Sequence, residues 1–111
     1  MDDCVFCNII NKVIESQVLY ENENVFVIRD ILPKAPVHLL IISKAHIVSL
    51  NHVEEKYKDI VWDVLMIAKK MAEKFGINET GYKLICNVGR DGGQVIPHLH
   101  FHVMGGNNLG E

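Results

Sequence analysis

His98-Leu99-His100-Phe101-His102-Val103-Met104 places three of the chain's six histidines at alternate positions. Side chains alternate between the two faces of a strand, so an extended run puts the imidazoles on one face and Leu99, Phe101 and Val103 on the other. A helix would spread the same imidazoles around more than a full turn. Pro97 suits a strand's first residue. The pattern therefore predicts a strand with a core side and an imidazole side.

Three imidazoles on one face are compatible with two kinds of chemistry. One is a histidine-rich zinc site that keeps a water position open, as in metal hydrolases. The other is a covalent nucleophile with two assisting groups, because a neutral imidazole attacks phosphorus or an acyl carbon near neutral pH. The third interpretation is a solvated strand face without chemistry, against which the clustering of titratable side chains argues.

The loop Gly89-Arg90-Asp91-Gly92-Gly93-Gln94 directly precedes the triad stretch. A glycine pair lets backbone N–H groups approach an oxyanion or phosphate closely. Taken alone, the loop is only a turn. Next to three aligned imidazoles, we interpret it as a phosphate cradle.

Composition limits the classes of protein to consider. The chain has 111 residues, 49% of them hydrophobic, which suits one packed core. A formal net charge of -3 with scattered Lys and Arg argues against a nucleic-acid partner. No run reaches the about 18 apolar residues that cross a bilayer, and Met1-Asp2-Asp3 is not a basic leader. Three cysteines fit thiols or metal ligands in a reducing compartment. We expect one domain over 1–111, in the cytoplasm, without a membrane partner.

The remaining segments predict an α+β fold. Five runs rich in aliphatic and β-branched residues predict strands at 18–21, 25–28, 38–43, 82–88 and 98–104. A short helix is expected at 4–13. A long helix over 54–75 begins at the capping box Asn51-His52-Val53-Glu54 and ends at Gly76. We therefore expect a five-stranded antiparallel sheet with one long and one short helix.

The long helix carries more apolar residues than one buried face needs. Val61, Trp62, Leu65 and Met66 widen its apolar stripe. In so small a domain, an exposed apolar flank favours self-association. We therefore predict a homodimer that uses the helix 54–75 and an edge of the sheet.

These motifs together resemble the histidine triad family, in its Hint-like nucleotide-binding branch. The stretch 98–104 fits the signature His-φ-His-φ-His-φ-φ. Asp30-Ile31-x-Pro33-x-Ala35-Pro36 is similar to the family's ribose loop, and Lys44-Ala45-His46-Ile47 to the segment after its third strand. Asn87-x-Gly89-x-Asp91-Gly92-Gly93-Gln94 is similar to its phosphate loop. The resemblance covers nearly the whole chain and implies this family's fold, with the sheet extended across a dimer.

The resemblance implies hydrolysis of a purine nucleoside monophosphate, such as AMP or GMP, joined to a leaving group, often through a P–N bond. By position, His100 is the nucleophile that forms a covalent nucleotidyl-histidine. His102 is implied to bind phosphate and assist the leaving group, and His98 to order the site. The residues implied to bind the nucleotide are Asn87, Gly93, Gln94 and Val95 at the phosphate, Asp30 at the ribose, and Phe6, Ile9, Ile28 and Ile31 at the base.

Cys4, Cys7, His46 and His98 resemble a structural zinc site of bacterial-looking family members. Two thiolates and two imidazoles satisfy tetrahedral Zn2+, and a site with four protein ligands is structural. One residue departs from the branch's pattern, because Val95 stands where a serine is common. A hydroxyl contact to phosphate is therefore absent, while the backbone N–H at this position remains.

Three functions follow from these patterns. The first is a nucleoside phosphoramidase-type hydrolase that acts through His100. The second is a zinc hydrolase with all three triad imidazoles on the metal. The third is a non-catalytic scaffold that binds purine nucleotides without forming a covalent species.

Overall fold

The computed structural model describes residues 4–12 and 14–111, and it contains the expected antiparallel sheet. Its elements in chain order are α1 (Val5–Ile10), β1 (Tyr20–Glu21), β2 (Val25–Arg29), β3 (Val37–Ser43), α2 (Lys58–Lys74), β4 (Tyr82–Ile85) and β5 (His100–Gly105). The strand order is β1-β2-β3-β5-β4, so the triad strand lies between β3 and β4. The acidic start Met1-Asp2-Asp3 and position 13 of the predicted first helix lie outside the described residues.

Side chains alternate between the two faces of the sheet, and both faces are apolar. One face packs against α2 and contains Leu39, Leu99 and Val103, all fully buried. The other face is covered by α1 and contains Phe26, Ile28, Leu40 and Ile42 together with Phe6. In the register of β3 with β5, His100 lies opposite Ile42 and His102 opposite Leu40. The imidazoles of β5 are therefore on the α1 side, and the predicted alternation is confirmed.

The predicted start of the long helix is wrong. The backbone first forms two short 3-10 turns, Leu50–His52 and Glu55–Tyr57, and α2 begins only at Lys58. Ser49 caps the first turn, because its Oγ accepts the N–H of Asn51, and Glu54 makes no capping hydrogen bond. A serine hydroxyl therefore replaces the predicted capping box. The predicted end is correct, since Gly76 follows the helix with φ of +73°.

Three predicted strands are shorter in the structure, and β1 contains only Tyr20–Glu21 of the predicted 18–21. β4 ends at Ile85, so Cys86 and the two residues after it already belong to the phosphate-loop region. β5 begins at His100, because the residue before it pairs elsewhere: Leu99 N–H donates to the Ile47 carbonyl at 2.6 Å. This bond fixes His98 against the segment that follows β3.

The outer side of α2 is partly apolar, as expected. Trp62 is 60% exposed and Leu65 is 41% exposed, beside the partly exposed Val61 and Met66. The predicted flank is thus present on the surface. In the part of the chain that the structure describes, no helix combines the length and the apolar character needed to span a membrane.

Candidate active site and metal centre

His100 has one ring nitrogen held against the backbone. Its Nδ1 lies 2.6 Å from the carbonyl oxygen of His98. A carbonyl only accepts hydrogen bonds, so in the neutral ring Nδ1 carries the proton and Nε2 keeps its lone pair. The Phe6 ring packs edge-on against His100, with ring centroids 5.1 Å apart. The ring is therefore fixed by backbone and packing with an unprotonated nitrogen, as a nucleophile requires.

His102 is held by His38, a residue that the sequence pattern did not single out. Nδ1 of His38 accepts the backbone N–H of Lys34 at 3.0 Å, so Nε2 carries the proton of this ring. That Nε2–H donates to Nδ1 of His102 at 2.9 Å. His102 therefore carries its own proton on Nε2. Its ring centroid is 5.3 Å from that of His100, so the ring with the donor N–H neighbours the ring with the nucleophilic lone pair.

These tautomers require neutral rings, and the surroundings of both rings favour the neutral form. The pKa of His102 is lowered to about 4, first by burial and then by the nearby imidazoles of His100 and His38, against the opposite effect of the Asp30 carboxylate. Burial also lowers the pKa of His38, against the opposite effect of the Asp30 carboxylate. Both rings are therefore uncharged at neutral pH and donate or accept as assigned.

Asp30, expected to bind ribose, lies beside this imidazole pair. Its Oδ2 is 3.3 Å from Nε2 of His38 and 4.0 Å from Nδ1 of His102. Its Oδ1 accepts the N–H of Leu32 at 2.9 Å, which fixes the carboxylate in the loop after β2. The Asp30 side chain is 19% exposed. The carboxylate is therefore accessible to a ligand and also within reach of His38.

Three of the four residues expected to bind the base lie together. Phe6 and Ile28 are buried in the apolar cluster on the α1 side, and Ile9 packs against it. Ile31 is 90% exposed in the ribose loop and is not part of this cluster. The structure thus provides an apolar floor next to His100, with Ile31 outside it.

The loop 87–95 is closed by its own hydrogen bonds. Gly93 has φ of +80°, a conformation that favours glycine, and its N–H donates to the Arg90 carbonyl at 3.1 Å. Nδ2 of Asn87 donates to the Gly92 carbonyl at 2.8 Å. These donors therefore shape the loop, and the phosphate contacts expected of Asn87 and Gly93 stay predictions.

Gln94 ties this loop to the segment after β3. Its Oε1 accepts the N–H of Gly89 at 2.9 Å, and its Nε2 donates to the carbonyls of Val48 and Ile96 at 2.7 and 3.0 Å. Because both the oxygen and the nitrogen of its amide are hydrogen-bonded, Gln94 positions the loop, and its expected phosphate contact stays a prediction. The Val95 N–H makes no protein hydrogen bond within the described part of the chain, so it is available to a phosphate oxygen.

A second cluster joins α1 to the residues before β5. The Sγ atoms of Cys4 and Cys7 and the Nδ1 atoms of His46 and His98 all lie within 4.8 Å of one another. Nε2 of His98 lies 2.6 Å from the Ser43 carbonyl, to which it donates, so its Nδ1 turns a lone pair toward the thiols. Burial and the neighbouring Cys4 raise the pKa of Cys7 to about 11. Two thiols and two imidazole nitrogens, largely buried, fit a closed zinc site.

The arrangement of the other imidazoles speaks against a catalytic zinc bound by the triad. Asp30, His38 and His102 also lie within 4.8 Å of one another. Nε2 of His38 cannot bind a metal, however, because the Lys34 N–H at Nδ1 keeps the ring proton on Nε2. The ring of His98 faces the thiols instead of its triad neighbours. The three triad imidazoles therefore do not form one ligand set.

Comparison with known proteins identifies the family. The HIT domain model matches residues 11–109, and the chain belongs to the HIT domain family. It is 39% identical to the purine nucleoside phosphoramidase of Escherichia coli (strain K12) over 109 residues, which are 98% of this chain and 92% of that protein. A HIT family hydrolase from Clostridium thermocellum is 45% identical with a TM-score of 0.96, covering 100% of this chain and 96% of that one. A HIT family hydrolase from Legionella pneumophila gives 41% identity, a TM-score of 0.94, and coverages of 97% and 96%. The family resemblance and the fold expected from the sequence are confirmed.

The lowered pKa of His102 leads to an expected pH dependence of stability. As pH falls from about 6.5 to about 4, the unfolded chain takes up a proton that the folded ring resists, so the free energy of unfolding decreases. Solvent screening limits the part due to this ring to about 1 kcal/mol. Urea unfolding at neutral pH and near pH 5 measures it in the wild type and in His102→Gln. The variant should lose this part of the pH dependence. An equal change in the free energy of unfolding between the two pH values in both proteins would contradict the lowered pKa of His102.

Proposed function

We propose that this protein is a nucleotide hydrolase that cleaves nucleoside 5′-monophosphate conjugates through a covalent nucleotidyl-His100. Purine nucleoside phosphoramidates, with a P–N bond, are the leading substrates, and acyl or phosphoanhydride adducts are related ones. The observation that carries the proposal is the pairing of a lone pair on Nε2 of His100 with an N–H on Nε2 of His102. The E. coli relative, named as a purine nucleoside phosphoramidase, supports the same class of substrate.

The first half of the reaction forms the covalent intermediate. The lone pair on Nε2 of His100 attacks phosphorus while the P–N bond on the opposite side breaks. The leaving nitrogen takes the electron pair of that bond and a proton from solvent, while the neutral ring of His102 stabilises that nitrogen through a hydrogen bond from its Nε2–H and keeps its proton. The carbonyl of His98 stabilises the positive charge that develops on the ring of His100, because it accepts the Nδ1–H at 2.6 Å.

The second half releases the nucleotide. Water attacks phosphorus from the vacated side and releases a proton to solvent, while His102 keeps its proton on Nε2. The bond between phosphorus and Nε2 of His100 breaks, and its electron pair returns to that nitrogen. Val95 N–H contacts a non-bridging oxygen, and Asp30 accepts the ribose hydroxyls. Both rings end in their starting tautomers.

A structural zinc ion is part of the proposal. Cys4, Cys7, His46 and His98 would hold it, since their donor atoms are gathered, buried and oriented toward one another. When bound, the ion supplies a cross-link between α1 and the residues before β5. The cysteines that the structure describes are all free thiols, which agrees with a cytoplasmic, reducing setting.

A homodimer is also proposed, through the outer side of α2 and the edge strand β4. Trp62 and Leu65 present apolar surface there, and β4 is last in the strand order, so one edge of it is unpaired in this chain. Burial of an apolar flank together with pairing of a free strand edge favours a symmetric contact between two copies.

The covalent intermediate is tested with adenosine 5′-phosphoramidate and intact-mass spectrometry after rapid quenching. We expect a transient AMP adduct on the wild type and none on His100→Ala, with turnover of the variant reduced by at least about a thousandfold. His52→Ala removes an imidazole outside the site and should behave as the wild type. Purine nucleotide binding without adduct or turnover would contradict the proposal and favour the scaffold alternative.

Zinc content separates the metal proposal from the catalytic one. We expect about one zinc per chain in the wild type and in His100→Ala, and loss of zinc in Cys7→Ser because a ligand is removed. Cys86→Ser, a matched change outside the cluster, should keep the metal. Elemental analysis and thermal unfolding with and without chelator provide the readouts. Wild-type protein that binds no zinc when it is supplied would contradict the site.

The dimer is tested by sedimentation equilibrium. Trp62→Glu places a charge in the apolar flank and should shift the protein toward monomer, since a buried unpaired carboxylate is unfavourable. Lys74→Glu introduces the same side chain at an exposed position about 120° around α2 from Trp62 and should leave the oligomeric state unchanged. A wild-type monomer at high concentration would rule out the proposed contact.

A further inference from the structure

The Nε2–H of His38 has two acceptors in reach. Nδ1 of His102 lies at 2.9 Å, and Oδ2 of Asp30 at 3.3 Å. A carboxylate with undivided access to an N–H normally lies closer than this, at about 2.7–2.9 Å. The Nε2–H of His38 is thus shared unequally between the two acceptors, and the neutral ring of His102 is the nearer one. Any change in the charge on Asp30 alters this balance.

His38 cannot pass a proton through its ring. Its Nδ1 already accepts the N–H of Lys34, and a peptide N–H does not give up its proton at neutral pH. If the ring gave its Nε2 proton to His102, it would remain as an imidazolate. His38 therefore acts only through the direction of its hydrogen bond, as a positioning residue.

The hydrogen bond from His38 decides which nitrogen of His102 carries the proton. With the Nε2–H of His38 on Nδ1, His102 must hold its proton on Nε2, where the leaving group needs it. If Asp30 draws the His38 proton away, Nδ1 of His102 is free to carry the proton instead. The Nε2 atom then lacks its proton, and the ring cannot donate a hydrogen bond to the leaving group.

We propose that His38 couples ribose binding at Asp30 to the proton position on His102, so that the ribose hydroxyls affect the chemical step as well as binding. Hydroxyl groups that donate to Asp30 reduce its attraction for the His38 N–H, which then bonds more fully to His102. A nucleotide without these hydroxyls leaves Asp30 in competition for that proton. The inference rests on the proposed function and specifies what the site requires of the sugar.

Single-turnover and steady-state kinetics test the coupling with two substrates, adenosine 5′-phosphoramidate and its 2′,3′-dideoxy analogue. In the wild type, we expect kcat to fall about tenfold for the dideoxy substrate, in addition to a higher KM. A purely binding role of Asp30 predicts a change in KM alone at equal kcat. That second pattern would overturn the coupling while leaving the hydrolase proposal intact. No turnover of either substrate would overturn both.

A matched pair of variants tests whether the effect passes through His38. His38→Met removes the donor at similar size, so kcat should fall and the ratio of kcat between the two substrates should approach one. His38→Gln keeps an N–H donor that cannot titrate, and it should restore much of the substrate ratio that the Met variant loses. An unchanged ratio in His38→Met would overturn the coupling.

A measurement on the wild type guards against variants that fail to fold. Nitrogen-15 NMR of the histidine rings reports which nitrogen is protonated. Adding AMP should increase the share of His102 with its proton on Nε2, and 2′,3′-dideoxy-AMP at saturation should not. An equal response to both nucleotides would contradict the proposal.

Discussion

The hydrogen bond from Nδ1 of His100 to the carbonyl of His98 is the contact on which the rest of the site depends. It determines which nitrogen of His100 is nucleophilic, and its position depends on how His98 is held. Both the ring and the backbone of His98 are held in place. Its Nε2 donates to the Ser43 carbonyl, and the N–H of the next residue, Leu99, donates to the Ile47 carbonyl. The ring of His98 faces the thiols while its carbonyl faces His100, so one residue serves the metal cluster and the nucleophile together.

Backbone groups set the proton pattern of the imidazoles in this site. The Ser43 carbonyl fixes the tautomer of His98, and the His98 carbonyl fixes the tautomer of His100. The Lys34 N–H fixes the tautomer of His38, whose Nε2–H in turn fixes the tautomer of His102. The same logic separates the two clusters of possible ligands. His98 has a lone pair free for a metal, whereas Nε2 of His38 carries a proton. Burial lowers the pKa of His98, His38 and His102, which favours their neutral rings.

Much of the fold followed from local patterns. The alternation of 98–104 predicted both the strand and its two faces, and the apolar run at 38–43 predicted β3 nearly to its ends. Two boundaries were missed for different reasons. Ser49 caps the first turn in place of the capping box at Asn51, which is a local alternative two residues away. Leu99 pairs with Ile47 outside the strand, and the distance between these two residues along the chain hides their relation.

The candidate site was predictable in part. His100 and His102 stood out by spacing, and the zinc ligands by resemblance, but His38 appeared as one polar residue in an apolar strand. Only the register of β3 with β5 brings it beside His102. Gln94 was expected to bind phosphate, yet its amide holds the loop to the Val48 carbonyl. A sequence shows which chemical groups are present, whereas their hydrogen-bond partners can be assigned only once the fold is known.

Neutron diffraction from a deuterium-exchanged crystal near neutral pH would test the central claim most directly, because it locates the hydrogen atoms on the ring of His100. The account predicts a deuteron on Nδ1, directed at the carbonyl of His98, and none on Nε2. A deuteron on Nε2, or on both nitrogens, would leave no lone pair for attack on phosphorus and would contradict the account.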